Sequence, residues 1–165
     1  MNVSKLLPIL AVVALLSFTS CSTDNVSEDK INAIEVPVAP QAKLIEIEIM
    51  ELINAHRINR GLSALQNHNT VKAVASTHTE YMIAVNDVSH DNFFLRKESL
   101  QANAAANIVS ENVAYGFSSA ASVVNAWLNS PNHKDNIEGD YTDFDISAEQ
   151  NNEGKWYFTN MFIKR

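Results

Sequence analysis

Apolar positions between residues 44 and 60 recur at helical spacing, with Ile45, Ile49, Leu52, Ile53 and His56 on one face. The Ile-Glu-Ile-Glu-Ile run at 45–49 also alternates as a strand would, but the segment's length and the stop at Gly61 predict a helix. A second helix is expected after Asn69, where Val71, Val74, Ala75, His78 and Met82 fall on one face. Residues 86–95 read as a loop and 96–106 as a shorter, Ala-rich helix. Residues 108–115 form a strand or extended segment that ends at Gly116. Ser118 or Ser119 then caps a helix running to Leu128, with Val123, Val124, Trp127 and Leu128 as its apolar stripe.

The period changes near the C-terminus. Phe144, Ile146 and Ala148 alternate with Asp145 and Ser147; Trp156, Phe158, Asn160 and Phe162 alternate with Tyr157, Thr159, Met161 and Ile163. The polar 149–154 segment between them ends in Gly, which predicts a β-hairpin. Helices followed by strands, with one helix between, imply an α+β fold in which helices cover a mainly antiparallel sheet.

Composition narrows the function classes. The 165 residues carry 12 Lys+Arg against 19 Asp+Glu, a formal charge of −7. That balance argues against sequence-independent binding of nucleic acid, which depends on cations neutralising phosphates. One Cys can form neither an internal disulfide nor a multi-thiolate metal site.

That Cys has a telling position. Residues 1–20 have a short basic start and an apolar run from Leu6 to Leu16 broken only by Pro8, the pattern of a secretory signal. Ser17-Phe18-Thr19-Ser20-Cys21 follows and resembles the lipobox of bacterial lipoproteins, with Phe18 where that pattern usually begins with Leu. The resemblance implies cleavage before Cys21 and a lipid on its sulfur. Residues 21–42 are polar and then Pro-containing, and read as a flexible tether, leaving 43–165 as the domain. The expected location is beyond the inner membrane, lipid-anchored in the cell envelope.

His90, Glu111 and His133 stand out as candidate chemistry, each in a loop or at an element end. Two imidazoles and a carboxylate suit a divalent metal such as zinc, and equally suit acid–base work without one. Spacing does not choose between these, nor against loop histidines that make structural hydrogen bonds. His56 and His78, on apolar helix faces, read as satisfied core residues, His68 as a helix lead-in, and Trp127 and Trp156 as core. The acidic 46–51 run reads as a solvated helix face.

Several segments together resemble the CAP superfamily of cysteine-rich secretory, antigen 5 and pathogenesis-related 1 proteins, and its bacterial SCP-like branch. They are Glu51-Leu52-Ile53-Asn54 with Arg57, Ser89-His90, Glu111-Asn112-Val113-Ala114, the run from Val123 through Trp127 to His133, and Tyr157-Phe158-Thr159-Asn160. The resemblance covers nearly all of 44–165 in order. It implies a three-layer α-β-α sandwich whose cleft holds two His and two acidic residues, with zinc or another divalent ion in some members. His90, Glu111 and His133 match three of the four; the nearest match to the second acid is Ser130, and Asn160 replaces a Gln of the closing strand. The resemblance implies a module that binds a lipid, glycan or peptide ligand, or alternatively a hydrolase using the His/Glu cleft. No independent nucleophile motif or His-Glu-x-x-His run supports the latter.

Overall fold

The computed structural model describes residues 36–165. The expected signal segment, Cys21 and the first part of the tether lie outside the described residues. Helix α1 (Leu44–Asn59) resolves the ambiguous Ile-Glu run through Glu46, whose Oε2 accepts from the Lys43 backbone N–H at 2.6 Å and so closes the first turn. Beyond it lie the two-residue strand β1 (Gln66–Asn67) and helix α2 (Asn69–Val85), whose N-cap His68 accepts from Thr70 N–H. Helix α3 (Phe93–Ala104) follows, then strand β2 (Ile108–Tyr115). Helices α4 (Ala120–Leu128) and α5 (Pro131–Glu138) precede the hairpin of β3 (Asp143–Gln150) and β4 (Trp156–Lys164).

The sheet order is β1-β3-β4-β2. β4 pairs antiparallel with both β3 and β2, and only the short β1 is parallel to its neighbour. Ile49, Ile53, Val123, Trp127 and Ile137 pack on one face of the sheet against Phe144, Ile146, Phe158 and Phe162. Val71, Val74, Ala75 and Leu100 pack on the other against Met161 and Ile163. Thus α1, α4 and α5 form one layer, α2 and α3 the other, and the expected three-layer sandwich is the observed one.

Four expectations need correction. α3 begins at Phe93 and ends at Ala104, so the loop after α2 is shorter than 86–95; Asn92 and Ala105, both at positive φ, bound it. Helix α5 has only one fully buried side chain, Ile137, so hydrophobic periodicity did not reveal it; Pro131 at its first turn was the available signal. The last residues of the expected tether lie on the domain, with Val36 packed against the α2–α3 core. The acidic run is not wholly solvated: Glu46 is fully buried, accepts from Ala148 N–H at 2.7 Å and pairs with buried Lys72 at 2.5 Å.

Beside that pair lies a third buried charge, Asp145, whose carboxyl is pushed up to about 6 chiefly by burial. An aspartate with a raised folded-state pKa loses stability as pH rises from its unfolded value, near 4, through about 6. Asp145→Asn is therefore expected to stabilise the domain by about 3 kcal/mol above that window and to change nothing below it. Urea midpoints across this pH range check it; a gain that is the same at every pH would contradict it.

Candidate functional site

β2 is an edge strand, and its alternation sends successive side chains into different layers. Glu111 faces the α2–α3 side, in register with Met161, while Asn112 faces α5. Residues from both layers therefore meet around this one dipeptide.

On the Glu111 side the carboxylate is buried and fully engaged. Oε2 accepts from Arg96 Nε at 2.7 Å, and Oε1 accepts from Arg96 Nη2 and from His90 Nδ1, both at 2.8 Å. His78 Nε2 lies 3.9 Å from the same oxygen and donates to the Ser89 carbonyl at 2.8 Å. Arg96 Nη1 also donates to Asp91 O, so one guanidinium grips both the carboxylate and the His90 loop. Burial alone would raise the Glu111 pKa, but the hydrogen bonds from His90 and Arg96, with the Arg96 charge, hold it below the usual carboxylate range. Burial depresses His78, which is neutral with its proton on Nε2.

On the Asn112 side, Asn112 Nδ2 donates to the His133 carbonyl at 3.0 Å. Asn136 Nδ2 donates to Asn112 Oδ1 at 2.8 Å and to the Glu111 carbonyl at 3.2 Å. These bonds fasten α5 to the strand edge. His133 is half-buried, its Nδ1 is 2.9 Å from Ser130 Oγ, and its pKa is lowered by burial and by nearby His90.

The geometry thus groups Glu111 with His90, bonded directly, and brings His133 to the same strand edge through Asn112. Sequence reasoning missed Arg96 and the contribution of His78. Arg96 carried no signal of its own, whereas His78 is the satisfied buried histidine its apolar helix face implies and also a neighbour of the site.

The arrangement fits a resident catalytic metal poorly. Each of His90 and His133 has Nδ1 engaged, leaving Nε2 without a hydrogen-bond partner among the described residues, as a metal-ligand imidazole requires. Glu111 has no such freedom, and no group of three or more His, Cys, Asp or Glu among the described residues could hold a metal ion. Ser130, at the place of the second acid, is spent on His133 and supplies no charge. Two imidazoles fall short of the three protein ligands of a catalytic zinc centre.

This sandwich, with its strand-edge His and Glu residues, defines a class. The pattern of the cysteine-rich secretory protein (CAP) family matches residues 50–162, and the chain belongs to that family. A relative, the uncharacterized membrane protein YlbC of Bacillus subtilis, is 31% identical over 124 residues, 73% of this chain but 34% of its own length. The chain therefore spans about a third of that relative. Among solved structures, an outer surface protein of Borrelia burgdorferi matches with a TM-score of 0.67 at 22% identity, over 78% of this chain and 99% of its own. An extracellular SCP-domain protein of Bacillus anthracis matches at 0.64 and 25% identity, over 73% of this chain and 40% of its own. A cysteine-rich secretory protein of Staphylococcus aureus matches at 0.63 and 17%, over 73% and 38%. No helix among the described residues is long and apolar enough to cross a membrane.

Proposed function

We propose that this CAP domain is an extracytoplasmic binding module, held at the cell envelope by a lipid on Cys21, whose His90/His133 edge receives a lipid, glycan or peptide ligand. The observation that carries binding over hydrolysis is the state of Glu111. Its two oxygens accept three charge-assisted or ring N–H bonds, and its pKa is lowered, so it stays ionised and cannot shuttle protons near neutral pH. What remains available is recognition chemistry: an exposed imidazole at His90, with its side chain 54% accessible, and a half-buried neutral one at His133. The membrane, outer-surface and extracellular relatives support the envelope location.

Incubation with peptides and with purified cell-wall glycan is expected to release no product. Turnover that disappears in Glu111→Gln would favour the hydrolase reading instead. Lipid, glycan and peptide probes are expected to shift the imidazole NMR signals of His90 and His133, and His90→Ala/His133→Ala should lose binding by tenfold or more; full binding in the double variant would sink the site. A divalent ion such as zinc is proposed only as a two-imidazole guest at these residues. Its metal content after equilibrium dialysis should fall to background in the same double variant.

A further inference from the structure

Among the described residues four carboxylates are buried: Glu46, Glu111, Asp143 and Asp145. Three have a cation against them. Glu46 has Lys72, Glu111 has Arg96, and Asp143 has Arg165. Asp145, only 5% exposed, has none: its oxygens accept only the backbone N–H groups of Ile146 at 2.9 Å and His68 at 3.3 Å. The Lys72 ammonium is already held by Glu46 Oε1 and by the Ile146 carbonyl at 2.8 Å, and acts on Asp145 only through space.

Asp145 also lines a cavity of about 510 Å³, a size suited to a small organic ligand. Its other walls come from the 38–42 segment, Met50, Asn67, Asn69 and Lys72. Val38, Pro40 and Met50 are apolar, while Gln41, Asn67 and Asn69 are amide residues, each with one acceptor oxygen on its side chain. The charged groups around it are Glu46, Lys72 and Asp145, which sum to one uncompensated negative charge when all are ionised. A buried charge without a partner is costly, and an entering cation removes that cost.

We propose that this cavity binds a primary ammonium group, with Asp145 as its counter-ion, the lining amides as further acceptors and Pro40 and Met50 against its carbon stem. A divalent metal is disfavoured there because only one carboxylate is free, whereas such an ion takes six or more oxygen ligands or several carboxylates. The site is separate from the His/Glu edge: Asp145 pairs with Met161, which pairs in turn with Glu111, two strands away. It therefore stands or falls independently of the binding function proposed above.

The test uses two small amines, glucosamine for an amino sugar and glycinamide for a peptide terminus, with their neutral N-acetyl forms as controls. Backbone amide signals of Asn67, Asn69 and Ile146 are expected to shift with at least one amine and not with its N-acetyl form, and the responding amine identifies the source. The response should weaken as pH falls through about 6, where Asp145 takes up a proton; the other charged groups acting on that carboxyl are Lys72 and Glu46. Asp145→Asn, which removes a buried uncompensated charge and is expected to fold, should reduce binding at least tenfold. Equal shifts from the N-acetyl compounds, shifts that persist in Asp145→Asn, or no response to either amine would each overturn the proposal.

Discussion

Arg96→Met is expected to lose about 3–5 kcal/mol of stability, the range for breaking a buried ion pair from one side. The variant removes both prongs of the guanidinium from Glu111, at 2.7 and 2.8 Å, and the bond to the Asp91 carbonyl. Glu111 then remains buried against two histidines, and burial, until now outweighed, dominates its titration. The sign of its pH dependence should reverse. In the native protein the lowered Glu111 pKa contributes stability above the ordinary carboxylate pKa, and that stability is lost as pH falls through the folded value. In Arg96→Met the pKa rises, so stability is lost as pH climbs above the ordinary value instead. Arg96→Lys should fall between the two, because an ammonium keeps the charge without the fork. Urea titrations at several pH values decide the matter. A loss under about 1 kcal/mol, typical of an exposed pair, would mean that Arg96 does not hold Glu111 as described.

A loss of similar size, about 3–5 kcal/mol, is expected for Lys72→Met in α2. Lys72 is 3% exposed and is the only cation paired with Glu46 among the described residues. Its removal strands Glu46 and deprives Asp145 of its nearest compensating charge. Glu46 joins three elements, accepting from Lys43 N–H at the start of α1 and from Ala148 N–H in β3 as well as pairing with α2. Glu46→Gln in the Lys72→Met background should recover more than half of the loss, since Gln keeps an acceptor for Ala148 without a charge. If the double variant is no more stable than Lys72→Met alone, the stranded charge is not the cause.

Both predictions depend on polar residues that a linear pattern cannot place. Helices α1, α2 and α4 and the C-terminal hairpin were legible because each repeats its apolar positions at the period of its own backbone. The start of α4 was legible to within a residue, and Ser119 is the cap, its Oγ accepting from Ser122 N–H. Helix α5 was not, since its stability comes from neighbours: Asn136 bonds to β2, and Ile137 is its one fully buried side chain. The acidic run misled for the same reason. Glu46 and Glu48 look alike in sequence, yet Glu46 meets Lys72 and the backbone of β3 while Glu48 is exposed. His90, Glu111 and His133 were each recognisable from local context and family resemblance, but whether Glu111 was free depended on Arg96, fifteen residues away along the chain.

By itself the sequence determined the fold class, with helices over an antiparallel hairpin, and the family, because backbone periodicity and local motifs are short-range properties; the arrangement in two helical layers followed only from the family resemblance. Only the tertiary structure decided that Glu111 is clamped by Arg96, that Ser130 serves His133, and that Asp145 faces a cavity without a cation. Each of those facts is a pairing of charges or hydrogen bonds between elements remote in sequence. Electrostatic energy depends on distance and burial in three dimensions, and neither is encoded in residue spacing.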